Sequence, residues 1–155
     1  MRKMIDIKHQ DPVLRTYMLF MQLAHAANQY SDSSLHRSTR LKTATYVALK
    51  GLLANDGIMS HTKLAEWTNT RKHNITGLVD RMKREGLVTT QRSETDRRLV
   101  KIEITEKGRS VYQKAGPTAR EIMQHTMRDL TRDDIAKLEK ILLTMKGNLA
   151  KDTEK

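Results

Sequence analysis

Between residues 71 and 105 the spacing of apolar side chains changes from helical to alternating, so this stretch has to be more than one kind of element. Ile75, Leu78, Val79 and Met82 follow one another at helical steps and form a single narrow stripe on a helix over residues 71–85. Gly86 stands where a left-handed residue closes a helix. Beyond it, residues 87–92 and 99–105 read as strands: Val100, Ile102 and Ile104 alternate with Lys101 and Glu103, as a half-buried strand requires. Ser93-Glu94-Thr95-Asp96-Arg97-Arg98 between them is polar and turn-forming, which makes the pair a hairpin with a charged tip. Upstream, Ser60 is placed to cap a short helix over residues 61–67, and Asn69 and Thr70 make a tight turn. A short helix, a tight turn and a second amphipathic helix form a helix-turn-helix, here with a hairpin directly behind it.

The flanks are helical. Asp11 and Pro12 suit the cap and first position of a helix over residues 11–34, whose apolar residues cover more than one face and imply burial against a second subunit. A helix over residues 41–53 ends in Asn55-Asp56-Gly57. Ile58-Met59 is long enough only for an edge bridge. Thr105 is placed to cap a fifth helix, in which Gly116-Pro117 predicts a kink or a break. Thr131 caps the last helix, with Asp133 and Asp134 in its first turn where carboxylates suit the helix dipole. There Ile135, Leu138, Leu142, Met145 and Leu149 make a narrow seam suited either to helix pairing or to an ordinary core face.

Charge adds direction. The chain of 155 residues carries 29 basic and 18 acidic residues, a net of +11. Residues 40–108 hold 14 basic and eight acidic residues, whereas the 39 before them contribute +2 and the 47 after them +3. The excess thus concentrates on the helix-turn-helix, which points to a polyanion rather than to solubility alone. Arg71, Lys72, His73 and Thr76 occupy the leading end of the second helix, the end that reaches base edges in a major groove. Gly77 lies on that side too. Arg97 and Arg98 sit at the hairpin tip, where arginine gains from the potential of a narrow minor groove, and Asp96 is suited to orient one of them.

Other functions find no support. With no cysteine there is no thiolate zinc site, thiol nucleophile or disulfide. Phosphate-cradling glycine loops and nucleophile motifs are missing, so the chain reads as a non-enzyme without cofactors and without a metal site. No run approaches the roughly 20 apolar residues of a membrane span, and residues 1–10 do not resemble a signal peptide; a cytoplasmic location is expected.

Residues 63–108 resemble the winged helix of the MarR (multiple antibiotic resistance regulator) family. The resemblance rests on Leu64-Ala65-Glu66, Ile75-Thr76, Leu78-Val79-Asp80-Arg81, Gly86-Leu87-Val88, Asp96-Arg97-Arg98 and Ile104-Thr105-Glu106-Lys107-Gly108, in that order. It implies a mainly α fold with a small β-hairpin wing. It also implies dimerisation helices at residues 1–39 and 109–155 around a DNA-binding unit at 40–108. The second helix would read the major groove, and Arg98 would insert in the minor groove while Asp96 steadies the wing. The partners implied are double-stranded DNA, a second copy of the chain and, in members that respond to one, a small aromatic effector, for which His25, Tyr46 and Trp67 are conceivable lining residues. The function expected is a ligand-responsive repressor on a pseudo-palindromic operator. The rival is a winged helix that docks proteins or binds DNA without preference. Two positions depart from the pattern: Asn69 replaces a turn glycine, and Arg71 replaces a small residue, which leaves Thr70 as the expected cap.

Overall fold

The computed structural model describes residues 11–92 and 100–152. Six helices and three strands follow the order α1 (Pro12–Thr39), α2 (Thr43–Leu53), β1 (Ile58–Ser60), α3 (His61–Trp67), α4 (Lys72–Arg84), β2 (Val88–Arg92), β3 (Val100–Ile104), α5 (Glu106–Met127) and α6 (Arg132–Asp152). The mainly helical winged fold expected from the sequence is what is found. Two compact units divide the chain, residues 1–122 and 123–155.

The core of the first unit gathers around α4. Ile75, Val79 and Met82 of its apolar stripe, all but inaccessible to solvent, meet Leu49 and Leu52 of α2, Leu64 of α3, Leu87 and Val88 at the start of β2, and Ile102 and Ile104 of β3. The sheet is antiparallel in the order β1-β3-β2. Its register sets Met59 and Thr90 on either side of Ile102, so the buried positions of the three strands fall on one face. Residues 58–60 form a short strand paired with β3 over all three residues, rather than an isolated bridge. The hydrogen bond from the Ile104 N–H to the Gly57 carbonyl extends that ladder by one rung, at 2.9 Å.

Helix α1 starts as its capping residues require, with the Val13 N–H donating to the Asp11 carboxylate at 2.9 Å. It runs to Thr39, beyond the expected Ser34, and closes on Arg40 in the left-handed region at φ 63°. The extension begins with Leu35, and Asp32 lies just before it. Leu35 is the one residue of α1 buried within the chain. Asp32 accepts the Thr43 N–H at 2.7 Å and so caps α2 from eleven residues upstream, where Lys42 offers no acceptor. Partial burial raises the Asp32 carboxyl, but hydrogen bonding from Thr43 and the charges of Lys42 and Arg81 outweigh it and hold the group below the ordinary carboxylate value. A carboxyl depressed by folding stabilises fully above its unfolded pKa and loses that contribution as pH falls through the depressed folded value. Asp32→Ala should therefore cost about 1 kcal/mol at neutral pH. Denaturant melts should show the gap to the parent closing in acid, below the usual carboxylate range.

Helix α5 does not break at Gly116-Pro117 but runs unbroken from Glu106 to Met127. Pro117 removes one backbone donor and crowds the preceding turn, yet Ala115 and Ala119 on either side of it are buried and hold the flanking turns in place. In the second unit, Thr131 and Asp134 form a reciprocal cap for α6. Thr131 Oγ1 accepts from the Asp134 N–H at 3.2 Å while the Asp134 carboxylate accepts from the Thr131 N–H at 3.0 Å. The Thr131 hydroxyl also donates to that carboxylate at 2.6 Å, and this bond, followed by the one from the Thr131 N–H, lowers the Asp134 pKa. Most of the apolar seam of α6 remains in solvent: Ile135, Leu142 and Leu149 are exposed, Leu149 by 72%. The same holds for Val13, Leu14, Tyr17 and Met21 of α1, Val13 by 75%.

Candidate nucleic-acid interface

The helix-turn-helix is built by backbone chemistry at two corners. At the first, Ser60 caps α3 by accepting the Lys63 N–H at 3.2 Å, and Leu64 and Ala65 fasten the short helix to the core. At the second, Asn69 adopts φ 49°. Its N–H donates to the Glu66 carbonyl at 3.1 Å and the Thr70 N–H donates to the Ala65 carbonyl at 2.8 Å, the paired bonds of a Schellman closure. Asparagine thus serves where glycine would be easiest, because its short polar side chain tolerates left-handed geometry. A β-branched residue does not, so Asn69→Val should lower stability by about 1–2 kcal/mol, read by thermal denaturation. An unchanged midpoint would remove the turn from the account.

Arg71, and not Thr70, is the N-cap of α4, with φ −64° and ψ 146°. The Thr70 hydroxyl instead donates back to the Thr68 carbonyl at 3.3 Å and is spent inside the turn. No side chain at the N-cap accepts from the first turn of α4. Its leading end thus presents backbone donors and the positive end of the helix dipole, an arrangement suited to an anion. Arg71, Asn74, Thr76, Gly77 and Asp80 lie exposed opposite the buried stripe. A Cβ added to Gly77 would meet nothing within 4 Å, so this glycine serves no packing purpose within the chain. Beside it lies an open groove of about 440 Å³ lined by Ala44, Thr70, Asn74, Gly77, Leu78 and Arg81. Arg81 on its wall belongs to the last turn of α4, which also carries Lys83 and Arg84.

Behind α4 the chain turns into the sheet through Glu85, Gly86 and Leu87, with Gly86 at φ 71° as its C′ position requires. The beginning of α5 takes up the carbonyls of all three residues. Lys107 Nζ donates to Glu85 at 2.7 Å, the Thr105 hydroxyl to Gly86 at 2.7 Å and the Thr105 N–H to Leu87 at 3.0 Å. Thr105 Oγ1 also accepts the Gly108 N–H at 3.0 Å, the expected cap of α5.

Of the residues expected to meet DNA, Arg71 and Thr76 lie exposed on the outer face of α4. Lys72 and His73 are its first two residues. Asp96, Arg97 and Arg98 lie outside the described residues, between the ends of β2 and β3. His25 pairs with Gln29 at 2.9 Å, and the Trp67 ring lies against Gly51. Tyr46 stacks on Tyr112 at 4.9 Å; burial, then hydrogen bonding to Tyr112, pushes its phenol up to about 12. None of the three lines the groove beside Gly77 or the smaller crevice of about 260 Å³ formed by Asp32, Ser33, His36 and Lys42. Among the described residues no cluster of histidines and carboxylates could hold a metal ion. Arg81 enters the sequence reading only as part of a motif, and the Asp32 cap and the Thr105–Lys107 contacts with residues 85–87 were not singled out from sequence. The signal for the last was there, in the Ile104-Thr105-Glu106-Lys107-Gly108 motif, but not its partner.

Comparison with known proteins agrees with this architecture. The MarR family model matches residues 41–99. The HTH-type transcriptional repressor IacR of Pseudomonas putida is 30% identical over 98 residues, covering 63% of this chain and 59% of that protein, so the match spans less than two thirds of that relative. The crystal structure of Sco3205 of Streptomyces coelicolor, a MarR-family regulator in complex with DNA, superposes with a TM-score of 0.84 at 18% identity, covering 88% of this chain and 86% of that one. The organohalide-sensing regulator RdhR-CbdbA1625, bound to 2,4-dichlorophenol, superposes with a TM-score of 0.83 at 19% identity over 95% of this chain and 86% of that one. At such identities the two superpositions speak for the fold.

Proposed function

We propose, from the premise that this chain is a MarR-family protein over residues 41–99, that it is a transcription regulator binding a pseudo-palindromic duplex as a homodimer and releasing it in response to a small ligand. The observation that carries this reading is the outer face of α4. A helix anchored by Ile75, Leu78, Val79 and Met82 turns Arg71, Asn74, Thr76 and Gly77 outward, in the region where the basic excess is concentrated. In this reading Arg71, Lys72, His73 and Thr76 meet the major groove, and Arg97 and Arg98, oriented by Asp96, meet the adjacent minor groove. Residues 40–108 form the DNA-binding part. Residues 1–39 and 109–155 supply the dimer contacts, for which the open apolar residues of α1 and α6 are the support. Repression rather than activation follows the description of IacR as a repressor. A phenolic effector follows the dichlorophenol in RdhR-CbdbA1625. No helix among the described residues is long and apolar enough to cross a membrane; a cytoplasmic location is proposed.

Selection of bound duplexes from a random pool tests this. The enriched sequence should be two-fold symmetric, with half-sites roughly 34 Å apart, and log affinity should fall linearly with log salt. A preference over random duplex of about 10³ or more supports the regulator. If genomic competitor erases all preference, the chain is a protein-docking or nonspecific architectural winged helix instead.

A further inference from the structure

We propose that Thr105 and Lys107, at the start of α5, are positioning residues that set the angle between α4 and the wing, and through it the choice of DNA sequence. The inference rests on the DNA-binding reading of α4. Residues 85–87 link α4 to β2; core packing holds the apolar stripe of α4 against the sheet, and the link governs how the C-terminal end of that helix enters the wing. Its three successive carbonyls, of Glu85, Gly86 and Leu87, are each held from the same two residues at 2.7–3.0 Å. The Glu85 carbonyl, at the C-cap of α4, is one that an α-helix leaves without a partner, and the Gly86 carbonyl lies just beyond the helix; water would satisfy both if α5 did not.

Thr105 carries most of the clasp. Its hydroxyl donates to Gly86 while accepting from the Gly108 N–H, so one side chain ties the turn to the cap of α5. Gly108 is buried directly beneath the Leu87 carbonyl, which brings the two backbones into contact. On the far side the Tyr46–Tyr112 stack joins α5 to α2, and Ala115 of α5 belongs to the buried core. A tilt of α5 therefore has to move the C-terminal end of α4 and the first residue of the wing together. Sequence preference requires both to sit in register on one duplex, whereas general attraction to phosphates requires neither.

Thr105→Val, Thr105→Ser and Lys107→Met separate the possibilities, each in the full chain. Amide hydrogen exchange over residues 85–92 reads the clasp without DNA; binding to the selected duplex and to random duplex reads its consequence. Exchange should quicken in Thr105→Val and to a smaller degree in Lys107→Met, and Thr105→Ser should match the parent. Two lost hydrogen bonds should cut affinity for the selected duplex about tenfold in Thr105→Val, with affinity for random duplex changing less than about twofold. Equal loss on both duplexes with a shallower salt slope in Lys107→Met would make that lysine a phosphate contact and overturn its positioning role. Lower thermal stability with an unchanged preference between duplexes would overturn the claim on sequence choice, and unchanged exchange over residues 85–92 would overturn the clasp itself. A parent protein with no duplex preference would sink the regulator reading, and with it the claim on sequence choice, while exchange still decides whether the clasp exists.

Discussion

Gly108→Ala is expected to melt about 10 °C below the parent, a loss of roughly 3 kcal/mol. The added Cβ would overlap the Leu87 carbonyl oxygen and lie 2.9 Å from Ile104 Cγ1 and 3.2 Å from the Leu87 carbonyl carbon. A flexible side chain could step aside at little cost, but the principal obstacle is backbone. Leu87 is itself held by the Thr105 N–H and by its own N–H bond to the Met82 carbonyl at 2.9 Å. To admit one methyl, the turn behind α4 has to separate from α5 and release those bonds. Alanine would otherwise favour a helix by up to about 1 kcal/mol over glycine, so a net loss isolates the steric term. The measurement is a pair of denaturant curves; coincidence within about 0.5 kcal/mol, the ordinary effect of a surface change, would refute the contact.

Arg98→Ala is expected to weaken binding to the selected duplex by about 10- to 100-fold, the range of one well-made base-groove contact, with the melting midpoint moving less than about 2 °C. In the sequence the residue lies between β2, which ends at Arg92, and β3, which begins at Val100. Inserted into a narrow minor groove, an arginine gains from concentrated negative potential and discriminates by groove width. Arg97→Ala should fall short of this effect if Asp96 steadies the arginine two positions on. Parent affinity from Arg98→Ala would take the wing out of the interface and leave α4 to act alone.

What the sequence revealed best was local. Ser60, Asn69, Gly86, Thr105 and Thr131 all occupy the cap or turn positions expected of them, because capping depends on a residue and neighbours within four positions. The alternation of β3 and the stripe of α4 were equally plain, since each follows from one period. The failures came where distant segments decide. Asp32 caps α2 from another helix, and α1 runs past Ser34, where Leu35 is buried against the core. Pro117 was expected to kink or break α5; the helix does not break, and Ala115 and Ala119 on either side of the proline are buried. Thr70 was a better cap than Arg71 on chemical grounds; its hydroxyl was already engaged with the Thr68 carbonyl. As for the site, the outward position of Arg71 and Thr76 was legible from the stripe, because a helix with one apolar face has only one other side to offer. Arg81 was harder to place: its relation to Asp32 and to the groove depends on how α1 and α2 lie against α4.

The vacant space above Gly77 has an implication for descent. A side chain introduced there would grow outward, away from Ile75, Leu78, Val79 and Met82, and so would leave the interior undisturbed. Descendants of this chain could alter what α4 touches by changing residue 77 without having to refit anything beneath it, so recognition and folding can evolve on separate clocks.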